Sequence, residues 1–328
     1  MANKALDWAR SHFRQLAILA VSAIVVVILA RVGYARFGED RGWAGWTGFG
    51  ALTAPDGTYY PAKTLWDVFD LLIVPLVLAL GAYWFNKSEK ANERKIADDR
   101  QKEQALQNYL DKITELMLEK SLPEKKHTPD DPVVEAAQIR TITTLRTLDL
   151  GRKNILLQFL RDSKLADFIL SGASLLQADL SAVKLSMANL HKANLHKANL
   201  SGAELIGADL SRAVLSEAKL SKAVLMYANL SGAELIMADL TDANLGRAIL
   251  SGAVLEGANL HKANLSGAVL EGADLRGTDL ILSDLSEAIL RGADLSGAHL
   301  TGATIAPEQI ATVKSLSGAI MPDGSKHE

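Results

Sequence analysis

The chain has 328 residues with a net charge of −3 and no cysteine, and aromatic residues make up 5% of it. The near-neutral charge gives no drive toward nucleic acid, and the lack of thiols excludes a disulfide framework, thiolate catalysis and thiolate-held metals. The length allows two or three domains, and the crowding of aromatics before residue 86 divides the chain.

Two apolar runs come first. Residues 16–30, LAILAVSAIVVVILA, extend through Arg31 to Tyr34, and residues 71–85, LLIVPLVLALGAYWF, extend back to Leu65. Both approach the roughly 20 residues that cross a bilayer, so two transmembrane helices are expected, about 14–34 and 65–85, in an anchor covering 1–85. A cleaved signal peptide and a buried helix are the competing readings of the two runs. Trp66, Tyr83 and Trp84 stand where an interfacial aromatic belt would, and Pro75 is placed to kink the second helix. Lys4, Arg10 and Arg14 precede the first run, and six cations from Lys87 to Lys102 follow the second. That bias places both ends inside a bacterial cytoplasmic membrane, with the bilayer as one partner and the downstream chain in the cytoplasm. The intervening loop, with Trp43 and Trp46, reads as a turn-rich connector.

Residues 86–122 read as a charged helix or stalk. Its second half carries Leu106, Leu110, Ile113 and Met117 on one face, either a short coiled-coil seam able to dimerise or a face docked on later helices. A breaker-rich stretch, LPEKKHTPDDP, opens a segment over 123–164. There Ile142, Leu145 and Leu148, then Ile155, Leu156, Phe159 and Leu160, recur at helical spacing. This helical adaptor is expected to cover the open end of the repeats that begin at Leu165, because a bare sheet edge invites association.

From Leu165 to Leu300 every fifth residue is leucine, Ile305 continues the count, and alanine usually stands two before each leucine. Five steps on an α-helix turn about 500°, so no face forms. On a flat strand residues five apart lie on opposite faces. An extended backbone that turns a corner once per five residues satisfies both facts: leucine and alanine point inward, the other three residues point outward or make the corner, and the coils stack at about 4.8 Å. Phe168, Val183, Thr278 and Ser283 replace the alanine, and GTDLILSDL is the least regular stretch.

The segments ANLHK, ADLSR and ADLSG resemble the pentapeptide-repeat family. The resemblance implies a mainly β fold, a right-handed, four-sided β-helix of about twenty residues per coil, and so about seven coils over 165–306. The whole arrangement resembles membrane-anchored bacterial proteins of that family. After Ile305 the count stops, and Pro307, Glu308, Ile310, Val313 and Leu316 predict a short helix at about 308–316 folded over the last coil, with a loose tail to 328.

The residues predict no catalytic group, cofactor or metal site. His191 and His196 fall on successive sides, and the aspartates before leucines belong to the repeat consensus. The expected function is a non-enzymatic scaffold that presents a rigid rod to an unidentified protein partner, with homo-oligomers possible. Ile206 and Met226, twenty apart and so on one side, with Tyr227 adjacent, form the candidate interaction face. The alternative comes from the family's quinolone-resistance members, whose acidic rods mimic DNA and bind gyrase. Fifteen acidic and ten basic residues lie between Leu165 and Ile305, with Lys192, Lys197, Lys219, Lys222 and Arg247 interrupting the acids. A mimic needs continuous negative potential.

Overall fold

The computed structural model describes residues 52–60, 65–120 and 131–328. They belong to two compact units, Met1–Asn92 and Glu93–Glu328. In the first, β1 (Leu52–Thr53) pairs antiparallel with β2 (Tyr59–Tyr60). The reversal between them is held by Ala54 N–H donating to Thr58 O at 2.9 Å, with Gly57 at φ +82°.

Helix α1 runs from Leu65 to Lys120 and corrects the membrane reading. Among the described residues no helix is long and apolar enough to cross a membrane. The uninterrupted apolar run from Leu71 to Phe85 is about 22 Å long at 1.5 Å per residue, short of a hydrocarbon core of about 30 Å. Asp67 and Asp70 break its extension. The expected placement as a multi-pass protein of the bacterial inner membrane, with the bilayer as partner, is therefore withdrawn. The run at 14–34 lies outside the described residues.

In the second unit the end of α1 packs on α2 (Pro132–Thr147) and α3 (Leu150–Asp162). Of the two readings of the α1 seam, docking holds: Leu106 and Ile113 are buried, Leu110 and Met117 are half-buried against the same core. Buried Tyr109 shares a 2.8 Å hydrogen bond with the hydroxyl of buried Thr141. Asp131 caps α2 by accepting from Val133 N–H, and Asp149 caps α3 by accepting from Arg152 N–H. Arg152 also pairs with Asp99, Glu103 and Asp149, tying α3 to α1.

Beyond a single helical turn, α4 (Ala166–Ile169), the chain winds into coils. Parallel bridges join residues twenty apart, from Ser174↔Asn194 to Asp284↔Thr304. Twenty residues with one turn per five make four sides. The ladder repeats three bonds at each level: Leu190 N–H to Asp209 O (2.7 Å), Lys192 N–H to Ser211 O (3.0 Å), and Asp209 N–H back to Ala188 O (3.0 Å). Inside, the leucines from Leu190 to Leu300 are at most 1% exposed, each worth about 1.5–3 kcal/mol of gross burial. Thr278 and Ser283 are buried among them, with hydroxyls donating to Leu275 O and Leu280 O at 2.8 Å.

The corner explains the consensus. Ala193 N–H donates to Leu190 O, closing a four-residue turn whose third residue, Lys192, has φ +56°. A type II turn requires positive φ there. Where Asn or Asp precedes the leucine, it is the other half of the corner: Asp209 Oδ1 accepts from Ser211 N–H at 3.0 Å and from its hydroxyl at 2.6 Å. A short side-chain acceptor two residues ahead of the turn is what these residue types offer.

The first coil's edge is covered by polar side chains of the helices. Gln138 donates to Phe168 O and Ser171 O, Arg146 to Leu176 O and Lys153 to Asp179 O, while Asn154 accepts from Lys184 N–H. Phe168, read as a repeat position, instead lies in α4 and is half-buried.

The far end differs from the expected helix over 308–316. Helix α5 is only Pro307–Ile310, and the chain then re-enters the ladder. Leu295 N–H donates to Ser315 O and Leu300 N–H to Ile320 O. The bridges Asp294↔Ser315 and His299↔Ile320 are 21 apart, so one extra residue is absorbed around α5. Gln309 bridges the insertion by donating to Leu285 O and Ala288 O. The tail is not loose. It reverses at Met321–Ser325 and pairs antiparallel, Ile320↔Lys326, with His327 N–H donating to Ala319 O at 2.8 Å. Pro322, Asp323 and Gly324 are turn residues that make this reversal.

Two outcomes check this account. Leu230→Lys places an unpaired charge at a fully buried position and should cost at least about 3 kcal/mol. Ser231→Lys loses only a hydroxyl bond to Asn229, about 1 kcal/mol; equal losses in denaturant melts would refute the register. Gln138→Ala orphans two edge carbonyls and should cost about 1–3 kcal/mol, whereas an unchanged melt would show that the edge needs no cover.

Candidate interaction surfaces

In the coil 201–220 the four sides are centred on Glu204, Asp209, Val214 and Lys219, with corners at 201–202, 206–207, 211–212 and 216–217. The side chains on this convex rod diverge. Among the described residues no group of three or more His, Asp or Glu side chains is placed to hold a metal ion. His191 and His196 sit at different corners: the Nδ1 of His191 lies 2.8 Å from the Ser211 hydroxyl, and His196 lies 4.0 Å from Glu217.

Ile206 and Met226 stack at one corner in consecutive coils, joined by Gly207 N–H donating to Met226 O at 2.9 Å. Ile206 is 40% exposed, Tyr227 is 52% exposed, and Met226 is half-buried. The structure thus brings the three expected residues to one corner, with further apolar residues that the sequence reading did not include. Met187 is exposed one coil earlier at this corner, and Val224 lies beside it. On the adjoining side Ile249, Val269 and Ile289 form a bridged apolar ladder through three coils. The missed signal is three β-branched residues in a row at twenty-residue spacing, at a position where Asn or Asp is the commonest choice. Arg247 lies 6.0 Å from the Tyr227 ring centroid and bounds the patch on one flank.

Charge is dispersed over the four sides. On the Lys219 side, Asp179, Asp239 and Asp279 alternate with Asn199, Lys219 and Asn259. The carboxylates Asp274 and Asp294 are bridge partners in consecutive coils on the Val214 side. Arg276 binds both oxygens of Asp274, at 2.8 and 2.7 Å, and reaches Glu256 at 2.9 Å. Lys314 lies 3.3 Å from Asp294. A shallow cleft of about 300 Å³ opens here. Hydrogen bonding holds both carboxyls below the usual range: chiefly the Arg276 guanidinium for Asp274, and the Ser296 hydroxyl, then Lys314, for Asp294.

Eight copies of the family model described as pentapeptide repeats match the chain, together spanning residues 160–302. No curated protein sequence matches it. Solved structures similar to part of the chain include QnrB1, described as a plasmid-mediated fluoroquinolone resistance protein. It is 22% identical over 46% of this chain and 90% of that one, with a TM-score of 0.26. The pentapeptide repeat protein alr5209 from Nostoc Pcc 7120 is 32% identical over 32% of this chain and 82% of that one, with a TM-score of 0.25. Rfr23, from the cyanobacterium Cyanothece 51142, is 35% identical over 34% and 63%, with a TM-score of 0.19.

The lowered carboxyls set an acid limit. Groups whose pKa falls on folding contribute stability above the unfolded value and lose it as pH drops through the folded one. Asp294→Asn keeps an acceptor for Ser296 but cannot titrate. Its melting temperature should therefore fall less between pH 5 and pH 3 than that of the parent chain; an identical fall would exclude Asp294 as a source of acid sensitivity.

Proposed function

Because the chain belongs to the pentapeptide-repeat family, whose right-handed β-helix is a rigid rod and not a catalytic cleft, we propose that it is a non-enzymatic interaction scaffold. In this reading the rod docks a protein partner on the apolar corner of Ile206, Met226 and Tyr227 and on the ladder beside it. The observation that carries the reading is the contiguity of that stripe. Exposed apolar residues scattered singly, such as Leu176 and Leu282, need no explanation, but Met187, Ile206 and Tyr227 share one corner, and Ile249, Val269 and Ile289 follow on the neighbouring side. Large flat apolar patches on folded chains mark contact sites.

The alternative, a DNA-like acidic rod bound by gyrase, is weakened by the placement of charge. Such mimicry needs carboxylates in unbroken succession, and the Lys219 side interposes amides and a lysine between its aspartates, while Arg276 and Lys314 offset the Asp274 and Asp294 pair.

The test is site-specific photocrosslinking of the full chain in cells. Probes at 206, 226 and 227 should yield one shared protein adduct that a probe at Thr241, on another corner, does not. Met226→Asp with Ile206→Asp should remove the adduct made from 227 by at least about tenfold while leaving the melting temperature within a few degrees. Equal labelling from Thr241, or an adduct indifferent to the two aspartates, would refute this corner as the docking surface.

A further inference from the structure

On the side of the rod centred on Asn229, Ile249, Val269 and Ile289, three consecutive coils are apolar at the centre. Ile249 is 41% and Ile289 50% exposed, and Val269 between them is half-buried. The ladder is the same in both directions along the axis: isoleucine, valine, isoleucine. The corner that leads into this side carries Arg247, Gly267 and Glu287 in the same three coils, preceded by small Gly246, Ser266 and Ser286. Its charge therefore changes sign about Gly267. Arg247 and Glu287 are exposed, and among the described residues neither has an ion-pair partner. The corner that leaves the side carries Ser251, Glu271 and Arg291, each followed by glycine, and Arg291 lies 3.3 Å from Glu271.

A symmetric ladder beside an antisymmetric flank is complementary to itself under a two-fold rotation. We propose that this side binds the same side of a second copy running antiparallel, about a two-fold axis that lies along the strand direction at Val269. The proposal rests on the reading of the ladder as a docking surface and assigns its occupant; Ile206 lies beyond the contact. Such an axis reverses the rod but keeps each corner against the same corner. Ile249 then packs on Ile289 of the second copy, Val269 packs on its own counterpart, and Arg247 faces Glu287, twice by symmetry. Tyr227, 52% exposed, comes opposite Pro307. The least favourable contact is Glu271 on its own counterpart. It is flanked by the two copies of Arg291, and each guanidinium has five donors to share between the two carboxylates. Helices α2 and α3 stand beyond the last coil of the second copy, so the caps do not collide.

Other registers lose these pairings. Sliding by one coil in one direction sets Asn229 against Ile289 and Arg247 against Gly267. Sliding in the other sets Ile249 against α5 and Arg247 against Pro307. A parallel pair with coils in step crosses the corners, so that Arg247 meets Ser251 and Glu287 takes Arg291 from Glu271. The antiparallel register alone gives both Arg247 and Glu287 a partner without disturbing another ion pair. The contact is small. Five facing coils, from Asn229 to α5, span about 19 Å and a side about 10 Å, well under the roughly 800 Å² per partner of a standard interface. The pairing is therefore reversible, and salt weakens its ionic part.

The chain has no cysteine, so one introduced thiol reports unambiguously and captures a reversible contact. Full chains are treated with a thiol crosslinker reaching about 10 Å, the separation of packed sheets. Val269→Cys, at the axis, should give a covalent dimer that Asn259→Cys, exposed on the opposite side, does not. With Val269→Cys present, Arg247→Glu alone and Glu287→Arg alone each set like charges face to face twice. Each should lower the yield by at least about tenfold. Both changes in one chain should restore it. Mixing the two single-charge variants should also restore it, as a dimer holding one chain of each kind, told apart by mass. Both positions already carry side chains at positive φ, so circular dichroism should stay unchanged. A parallel pair predicts instead a yield unaffected by Arg247→Glu and no recovery in the double exchange. Equal dimer from Asn259→Cys, a yield indifferent to either charge, or no recovery in the mixture would each overturn the proposal. In that event a protein adduct from a probe at 206 leaves the docking corner standing, and its absence removes that reading as well.

Discussion

The rod depends on one repeated exchange: each coil's backbone bonds are completed by the next coil. Leu210 N–H reaches Asn229 O, Arg212 N–H reaches Ser231 O, and Asn229 N–H returns to Ala208 O. A single coil has none of these partners, so cohesion is a nearest-neighbour property and the two ends are left with unmet groups. The ends are closed by different means. Helices α2 and α3 bring amide, guanidinium and ammonium donors to the first coil's carbonyls, whereas the last coil is covered by the chain's own antiparallel return from Ile320 to His327. Helical donors suit an edge that chiefly presents carbonyls, while a returning strand supplies donors and acceptors together.

The same exchange separates what is fixed from what varies. Two of every five residues point inward and are held to leucine and alanine by volume. A third, before the leucine, usually closes the corner as Asn or Asp. Chemical individuality is confined to the remaining surface and to departures from that third position. Val224, Ile249, Val269 and Ile289 all stand where the corner acceptor normally does. Each gives up a side-chain bond of about 1 kcal/mol for an apolar surface; Val214 and Val254 do the same on another side, and only Ile249, Val269 and Ile289 follow one another in successive coils.

The inward register is fully legible in the sequence because a period of five admits only a cornered coil. Every leucine and alanine assigned inward from Ala188 to Leu275 is at most 2% exposed. The three-residue corner patch is legible for the same reason, since twenty residues return to the same place. The departures from expectation concern features that periodicity does not encode. The stop at Ile305 looks terminal in the sequence because one residue is inserted near α5, which shifts the count without ending the ladder. The apolar run in α1 suggests a membrane span by composition, yet its unbroken length is that of fifteen residues. The two functions of the seam in α1 are indistinguishable from spacing alone; Tyr109 against Thr141 and Arg152 against Asp99 and Glu103 of α1 decide for docking.

Positive φ at the corners adds a constraint that runs along the rod. Sixteen described non-glycine residues have positive φ, all but Lys164 at the second corner place, where an L side chain is disfavoured by about 1–2 kcal/mol. Such a side chain also leans over the next coil. A Cβ placed on Gly207 would lie 2.6 Å from Met187 Sδ, one on Gly257 2.6 Å from Met237 Sδ, and one on Gly302 2.8 Å from Leu282 Cδ2. At these three corners the overlying side chain leaves room for glycine and for little else. This coupling accounts for Gly207 and Gly257 but not for Gly272, Gly277, Gly292 or Gly297, which no side chain overlies. Glycine at those four places relieves the backbone strain of the turn, and the charged side chains of these corners, Glu271, Arg276 and Arg291, are carried by the residue just before the glycine.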